Sequence, residues 1–154
     1  MAKRRSSRRI PKPNPEIETA QIQFSFKYLE IEHQKFRLND CPVDFLRKLL
    51  CKVKDFESYT VDQFIDVNHQ DDRMLIQFDE SACPKGFESL DEELQSETAW
   101  ELKLCHDAKR HTQQAAWRVY GMLVRNVFYV IWLDAQHALF PDHHPKHATN
   151  KSKG

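Results

Sequence analysis

Three residues whose types suit phosphate chemistry lie close together near the C-terminus: Arg118, Tyr120 and His137. An arginine offers a planar, permanently charged fork that matches phosphate oxygens. An imidazole carries protons near neutral pH, and a phenol supplies an O–H donor. Metal-independent cleavage of RNA needs a base for the 2′-hydroxyl, a cation on the phosphorane and an acid for the leaving oxygen. This set contains candidates for all three. The segment 105–116, a long polar connection, adds His106, Lys109, Arg110 and His111 within reach of the same end.

The element that must position them runs from Trp117 to Asp134. Two stretches rich in β-branched and aromatic residues flank Arg125-Asn126, the pattern of two core antiparallel strands joined by a two-residue turn. That turn sets Val124 opposite Val127, Tyr120 opposite Ile131, Arg118 opposite Leu133 and Trp117 opposite Asp134. Alternation then places Arg118 and Tyr120 on one face, with His137 just beyond the same end. A bulge at Gly121 would move this register. Plainer roles stay open for each residue. Arg118 pairs with Asp134 at the sheet end, Tyr120 is core with its hydroxyl at the rim, or His137 closes the strand. Trp117, Phe128, Tyr129 and Trp132 read as core, with Trp117 alone able to stack on a base.

Upstream, Ile22, Phe24, Phe26 and Tyr28 alternate with polar residues across 21–31, a first strand with one apolar face. Residues 41–57 form an amphipathic helix with Asp40 as cap, Pro42 in the first turn and a stripe of Leu46, Leu49, Leu50, Val53 and Phe56. Arg47, Lys48, Lys52 and Lys54 fall largely off that stripe. Thr60-Val-Asp-Gln63 is a capping-box pattern opening a second, short helix, with Phe64, Ile65 and Val67 on its apolar side. Two helices joined by a tight link suggest a pair packed on one sheet face. Residues 73–79 read as a strand, 80–97 as an acidic loop with at most one short helix, and Trp100-Glu-Leu-Lys-Leu104 as another strand. The fold class is α+β: a first strand, two helices, then a mainly antiparallel sheet ending in a long hairpin. One domain spans 21–140, between a basic, Pro-rich tail at 1–20 and a polar His/Lys-rich tail at 141–154.

Charge is balanced overall, 23 basic against 23 acidic side chains in 154 residues, but unevenly placed. Arg4, Arg5, Arg8 and Arg9 sit in an arm that holds no acid before Glu16, whereas 71–97 is strongly acidic. The arm suits nucleic-acid contact by counterion release, or is simply a solvated terminus. A mean hydropathy of −0.70 fits such polar ends. No apolar run approaches the roughly 20 residues of a membrane span, and no apolar stretch follows the basic start as in a secretory signal. The four cysteines form no CxxC and are expected as reduced thiols. These features point to a cytoplasmic protein with no membrane partner.

With three glycines in the chain, phosphate-cradling loops and nucleophile elbows are not expected, and no cofactor is. Asp142, His143, His144 and His147, with His137 nearby, make a His-rich tract. His143 and His147 have helical ligand spacing, but Pro145 between them disfavours the helix, so no built metal site is expected.

The order of elements, with Trp100-Glu-Leu-Lys-Leu104, Trp117-Arg-Val-Tyr120 and Val127-Phe-Tyr-Val-Ile-Trp132 as central strands, resembles the RelE/ParE-like toxin superfamily of bacterial toxin–antitoxin systems across roughly residues 22–140. Ser25-Phe-Lys-Tyr28 with Phe128-Tyr-Val-Ile-Trp-Leu-Asp134 and His137 is also similar to a group of small uncharacterised bacterial proteins. The resemblance implies a metal-free cationic site on the concave sheet face of a ribosome-dependent endoribonuclease. Arg118 corresponds to the arginine opening the penultimate strand and His137 to the basic residue after the last strand. Lys103 is the basic residue on the strand before. The family's C-terminal helix is not expected here, because Pro141 and Pro145 break the end.

Two functions from different classes follow. The first is an RNA-acting toxin or phage-defence protein with Arg118, Tyr120 and His137 as catalytic residues. Its RNA or ribosome would be gripped by Arg4, Arg5, Arg8, Arg9, Lys103, Lys109 and Arg110, and an antitoxin-like protein would be its partner. The second is a non-enzymatic binding module that uses the basic arm and the acidic middle.

Overall fold

In the computed structural model, residues 15–67, 72–105, 109 and 112–141 are described. The elements are α1 (Pro15–Glu18), β1 (Gln23–Ser25), α2 (Val43–Phe56), α3 (Val61–Ile65), β2 (Arg73–Ile76), α4 (Glu92–Gln95), β3 (Ala99–Lys103), β4 (Arg118–Val124) and β5 (Val127–Asp134). The fold is α+β. One sheet has the order β1-β5-β4-β3-β2, antiparallel throughout except where β1 runs parallel to β5.

The β4–β5 hairpin forms the centre of the sheet because both strands can be buried on both faces. Arg125 and Asn126 make the turn, and Arg125 takes the positive φ of 58° that a tight hairpin turn demands. The Asn126 side chain donates to the Gln21 carbonyl, and the Gln23 N–H donates to the Asn126 carbonyl, which seats β1 beside β5.

From Val124–Val127 to Gly121–Val130 the pairing follows the two-residue turn. Between Tyr120 and Gly121 it slips by one residue. Tyr120 therefore faces Trp132 rather than Ile131, Val119 faces Leu133, and Arg118 faces Asp134 rather than Leu133. Ile131 is the additional residue of a β-bulge, and Ile131 and Trp132 consequently join the same apolar cluster. Glycine at 121 permits this. A β-carbon there would run into the Tyr129 carbonyl oxygen and stand 2.6 Å from the Phe128 ring.

Each face of the sheet has its own core. On one, Phe45, Leu49, Phe56 and Phe64 from α2 and α3 pack on Trp100, Leu102, Val119, Phe128 and Val130. The capping box at Thr60 and Gln63 forms in both directions. The buried stripe of α2 is Phe45, Leu49, Lys52 and Phe56, whereas Leu50 is 63% exposed. Asp40 makes no cap, since it belongs to a 3-10 turn (Leu38–Asp40) and Pro42 is the N-cap residue.

On the other face, loops supply the cover. Phe36, Phe78 and Phe87 close around Trp132, with ring centroids at 4.8, 5.7 and 4.8 Å, and Tyr120 lies beneath. The acidic segment is thus held by its own aromatic residues. The first strand is shorter than its alternation suggests. After Ser25 a turn carries the chain around the sheet edge: Ser25 accepts from the Lys27 N–H, Tyr28 packs on Tyr129 in the second core, and Phe26 is exposed. Ile17 in α1 packs against the first core.

Candidate functional site

An open cleft of about 700 Å³ lies against the second face at the end of β2, β3 and β4. Its floor carries Glu101 and Lys103 from β3 and Arg118 from β4. Alternation along Trp100-Glu-Leu-Lys103 aims the first two at one face, and the β3–β4 register sets Lys103 opposite Arg118 and Glu101 opposite Tyr120. His137, Phe140 and Pro141 form one wall, while Met74, Asp79 and Glu80 contribute to the other.

Arg118 is only 6% exposed yet opens onto this cleft. Its Nε donates to Glu101 at 3.2 Å, and its Nη1 to the carbonyls of Ala115 at 2.7 Å and Trp117 at 3.1 Å. Nη2 has no hydrogen-bond partner among the described residues. The guanidinium is therefore held at one end and available at the other. Although Arg118 faces Asp134 in register, its ionic partner is Glu101.

Burial pushes the Glu101 carboxyl above its ordinary range. The nearby Arg118 and Lys103 charges pull it back in part, and Asp134 adds to the rise. A buried carboxyl with a raised pKa, beside two cations in a cleft, is the kind of group that can carry a proton in either direction.

Tyr120 is placed differently from the expectation. It is fully buried, and its hydroxyl donates to Asp134 Oδ2 at 3.1 Å. Burial first, then the Asp134 charge, raises its pKa well above the usual phenol value. It lies under the cleft rather than in it and cannot touch a ligand there. His137 does line the cleft, is 4% exposed, and has a left-handed backbone with φ of 57°. Lys103 is half-buried in the floor. Lys109 is exposed and away from the cleft lining; its carbonyl accepts from the Thr112 N–H and hydroxyl. Arg4, Arg5, Arg8, Arg9, Arg110, His106, His111 and the His-rich tract at 142–147 lie outside the described residues.

Arg118, His137 and Lys103 are thus brought together, and Glu101, which sequence reasoning did not single out, joins them in the cleft. Alternation in β3 already pairs Glu101 with Lys103; only the β3–β4 register was needed to bring the carboxyl to Arg118. Among the described residues, no group of three His, Cys, Asp or Glu side chains is placed to hold a metal ion, and no helix is long and apolar enough to cross a membrane. No family model, no curated protein and no solved structure matches this chain.

Proposed function

We propose that the cleft binds a phosphodiester of RNA, and that the protein is a RelE-like, metal-independent endoribonuclease acting in the bacterial cytoplasm as a toxin or phage-defence component. The observation that carries this reading is the Arg118 guanidinium, anchored through Nε and Nη1 with Nη2 left over, in one cleft with Lys103, His137 and a raised-pKa carboxyl. The element order, one strand, two helices on one face and then antiparallel strands, supports it as well.

In this mechanism Arg118 and Lys103 hold the non-bridging phosphate oxygens and stabilise the charge that grows on the phosphorane. Ionised Glu101 accepts the 2′-hydroxyl proton as that oxygen attacks phosphorus. Protonated His137 gives its proton to the departing 5′-oxygen, leaving a 2′,3′-cyclic phosphate and a 5′-hydroxyl. Purified protein is expected to cut single-stranded or ribosome-bound RNA, and expression to slow bacterial growth. Lys103→Ala, which leaves the buried pair in place, and Arg118→Lys are expected to lower cleavage by about tenfold or more and to relieve the growth effect. Unchanged cleavage in the two variants would overturn the assignment.

A second reading is favoured by the rim. Asp79 and Glu80 are exposed beside the cleft, and Met74 and Leu75 of the edge strand β2 are 50% and 40% exposed. Carboxylates repel a phosphate backbone, whereas an apolar edge strand suits a protein partner. In that case Met74→Lys would abolish partner binding, and Arg118→Lys would leave it intact.

A further inference from the structure

The loop that carries His137 is built around one carboxylate. Asp134 ends β5 and is 2% exposed. Its Oδ1 accepts from the N–H groups of Gln136 at 3.2 Å and Ala138 at 2.9 Å. Its Oδ2 accepts from the Leu139 N–H at 3.0 Å and the Tyr120 hydroxyl at 3.1 Å. Four donors thus surround a buried charge that would otherwise be strongly destabilising. Three of them belong to the residues flanking His137 on either side. The far end of the loop is fixed too, since Leu139 is fully buried and its carbonyl accepts from the Ala82 N–H at 2.8 Å. Between these anchors His137 adopts φ of 57°, a backbone region that residues with a β-carbon rarely occupy unless the surroundings impose it.

We propose that Asp134, steadied by the Tyr120 hydroxyl, is a positioning residue that holds His137 in its left-handed conformation against the cleft. As a functional statement this rests on the reading of the cleft as an RNA site. As a statement about His137 placement it stands on the hydrogen bonds alone. An amide could not substitute for the carboxylate: asparagine would present N–H to a group that is itself a donor, the Leu139 N–H or its neighbours in the turn. Tyr120, read from sequence as a catalytic residue, acts here through Asp134.

The test is a double-substitution cycle on the full chain using Tyr120→Phe, His137→Gln and the pair. Tyr120→Phe removes one hydroxyl and keeps the ring contacts with Phe36, Trp132 and Phe140. Two quantities are read: the Kd for a short single-stranded RNA oligonucleotide, and the His137 ring resonances in NMR spectra, identified by their loss in His137→Gln. Tyr120→Phe is expected to weaken RNA binding by about fivefold in the wild-type background and to have no further effect once His137 is replaced. It is also expected to shift or broaden the His137 ring signals. Asp134→Asn should do the same more strongly if it folds. Equal weakening in both backgrounds, or unchanged His137 signals in Tyr120→Phe, would overturn the proposal. Absence of RNA binding by the wild type would count against the cleft reading instead, and the NMR measurement would still decide whether Tyr120 and Asp134 position His137.

Discussion

Two arginines are buried among the described residues, and their donors are committed to different degrees. Arg73, on edge strand β2, is 3% exposed. Its Nε and Nη2 donate to the carbonyls of Phe64, Gln63 and Asp66 at the end of α3, and its Nη1 pairs with Asp72 at 2.8 Å. The rings of Phe56, Tyr59 and Phe64 lie within 5.4 Å of its guanidinium carbon. Every nitrogen of this fork is committed, and the group satisfies the orphan carbonyls of a helix C-terminus. Arg118, on the opposite face, binds one carboxylate and two carbonyls, has Nη2 without a hydrogen-bond partner among the described residues, and lines a cleft. Burial and ion pairing alone do not separate the two arginines. The decisive feature is whether donor capacity remains at the edge of a cavity.

This contrast breaks most readily at Arg73. Arg73→Ala leaves Asp72 buried with only Lys52 at 3.4 Å, strands three carbonyls and empties a space among three rings. A loss of about 3–5 kcal/mol in urea unfolding is expected. A loss near zero would mean the Arg73 network is not structural. Gly121→Ala comes next. Its β-carbon meets the Tyr129 carbonyl at the bulge, so the strands must part or slip. About 3 kcal/mol is expected, with disturbed amide shifts in both β4 and β5.

Arg118→Lys should cost less, about 1–2 kcal/mol, because Lys keeps the charge against Glu101 but loses the fork and the carbonyl bonds. The smallest effect concerns Glu101. This carboxyl binds its proton more tightly folded than unfolded. The stability it favours is therefore fully present below the ordinary carboxyl pKa of 4.5 and is lost as pH rises through the raised folded value. Relative to wild type, Glu101→Gln should flatten that fall in stability across mildly acidic pH. An unchanged slope would mean Glu101 does not titrate with a raised pKa.

Much of the architecture was legible in the chain. Thr60 and Gln63 announced their helix start, because a capping box is a local interaction between residues three apart. The hairpin was legible because its residues suit burial on both faces, but its expected register held only as far as Gly121, where the bulge left open from sequence displaces it. The α2 stripe was misread at Leu50, since helical spacing alone does not tell which of two adjacent apolar residues meets the sheet. Lys52 was read as falling largely off the apolar stripe, yet it is buried against Asp72, a partner 20 residues away. The site was legible in part. Arg118 and His137 share the cleft with Lys103, but Glu101 reaches Arg118 only through the β3–β4 pairing. The Tyr120 hydroxyl meets Asp134 across the bulge, a tertiary relation that no local pattern encodes.

We propose Arg118 as the phosphate-binding arginine. The most direct test is RNA cleavage by purified wild type and Arg118→Lys, with thermal unfolding measured on the same samples. The variant is expected to remain folded while its cleavage falls by about tenfold or more, because a lysine lacks the fork that reaches both Glu101 and a phosphate oxygen. A folded Arg118→Lys protein that cuts RNA as fast as wild type would contradict it.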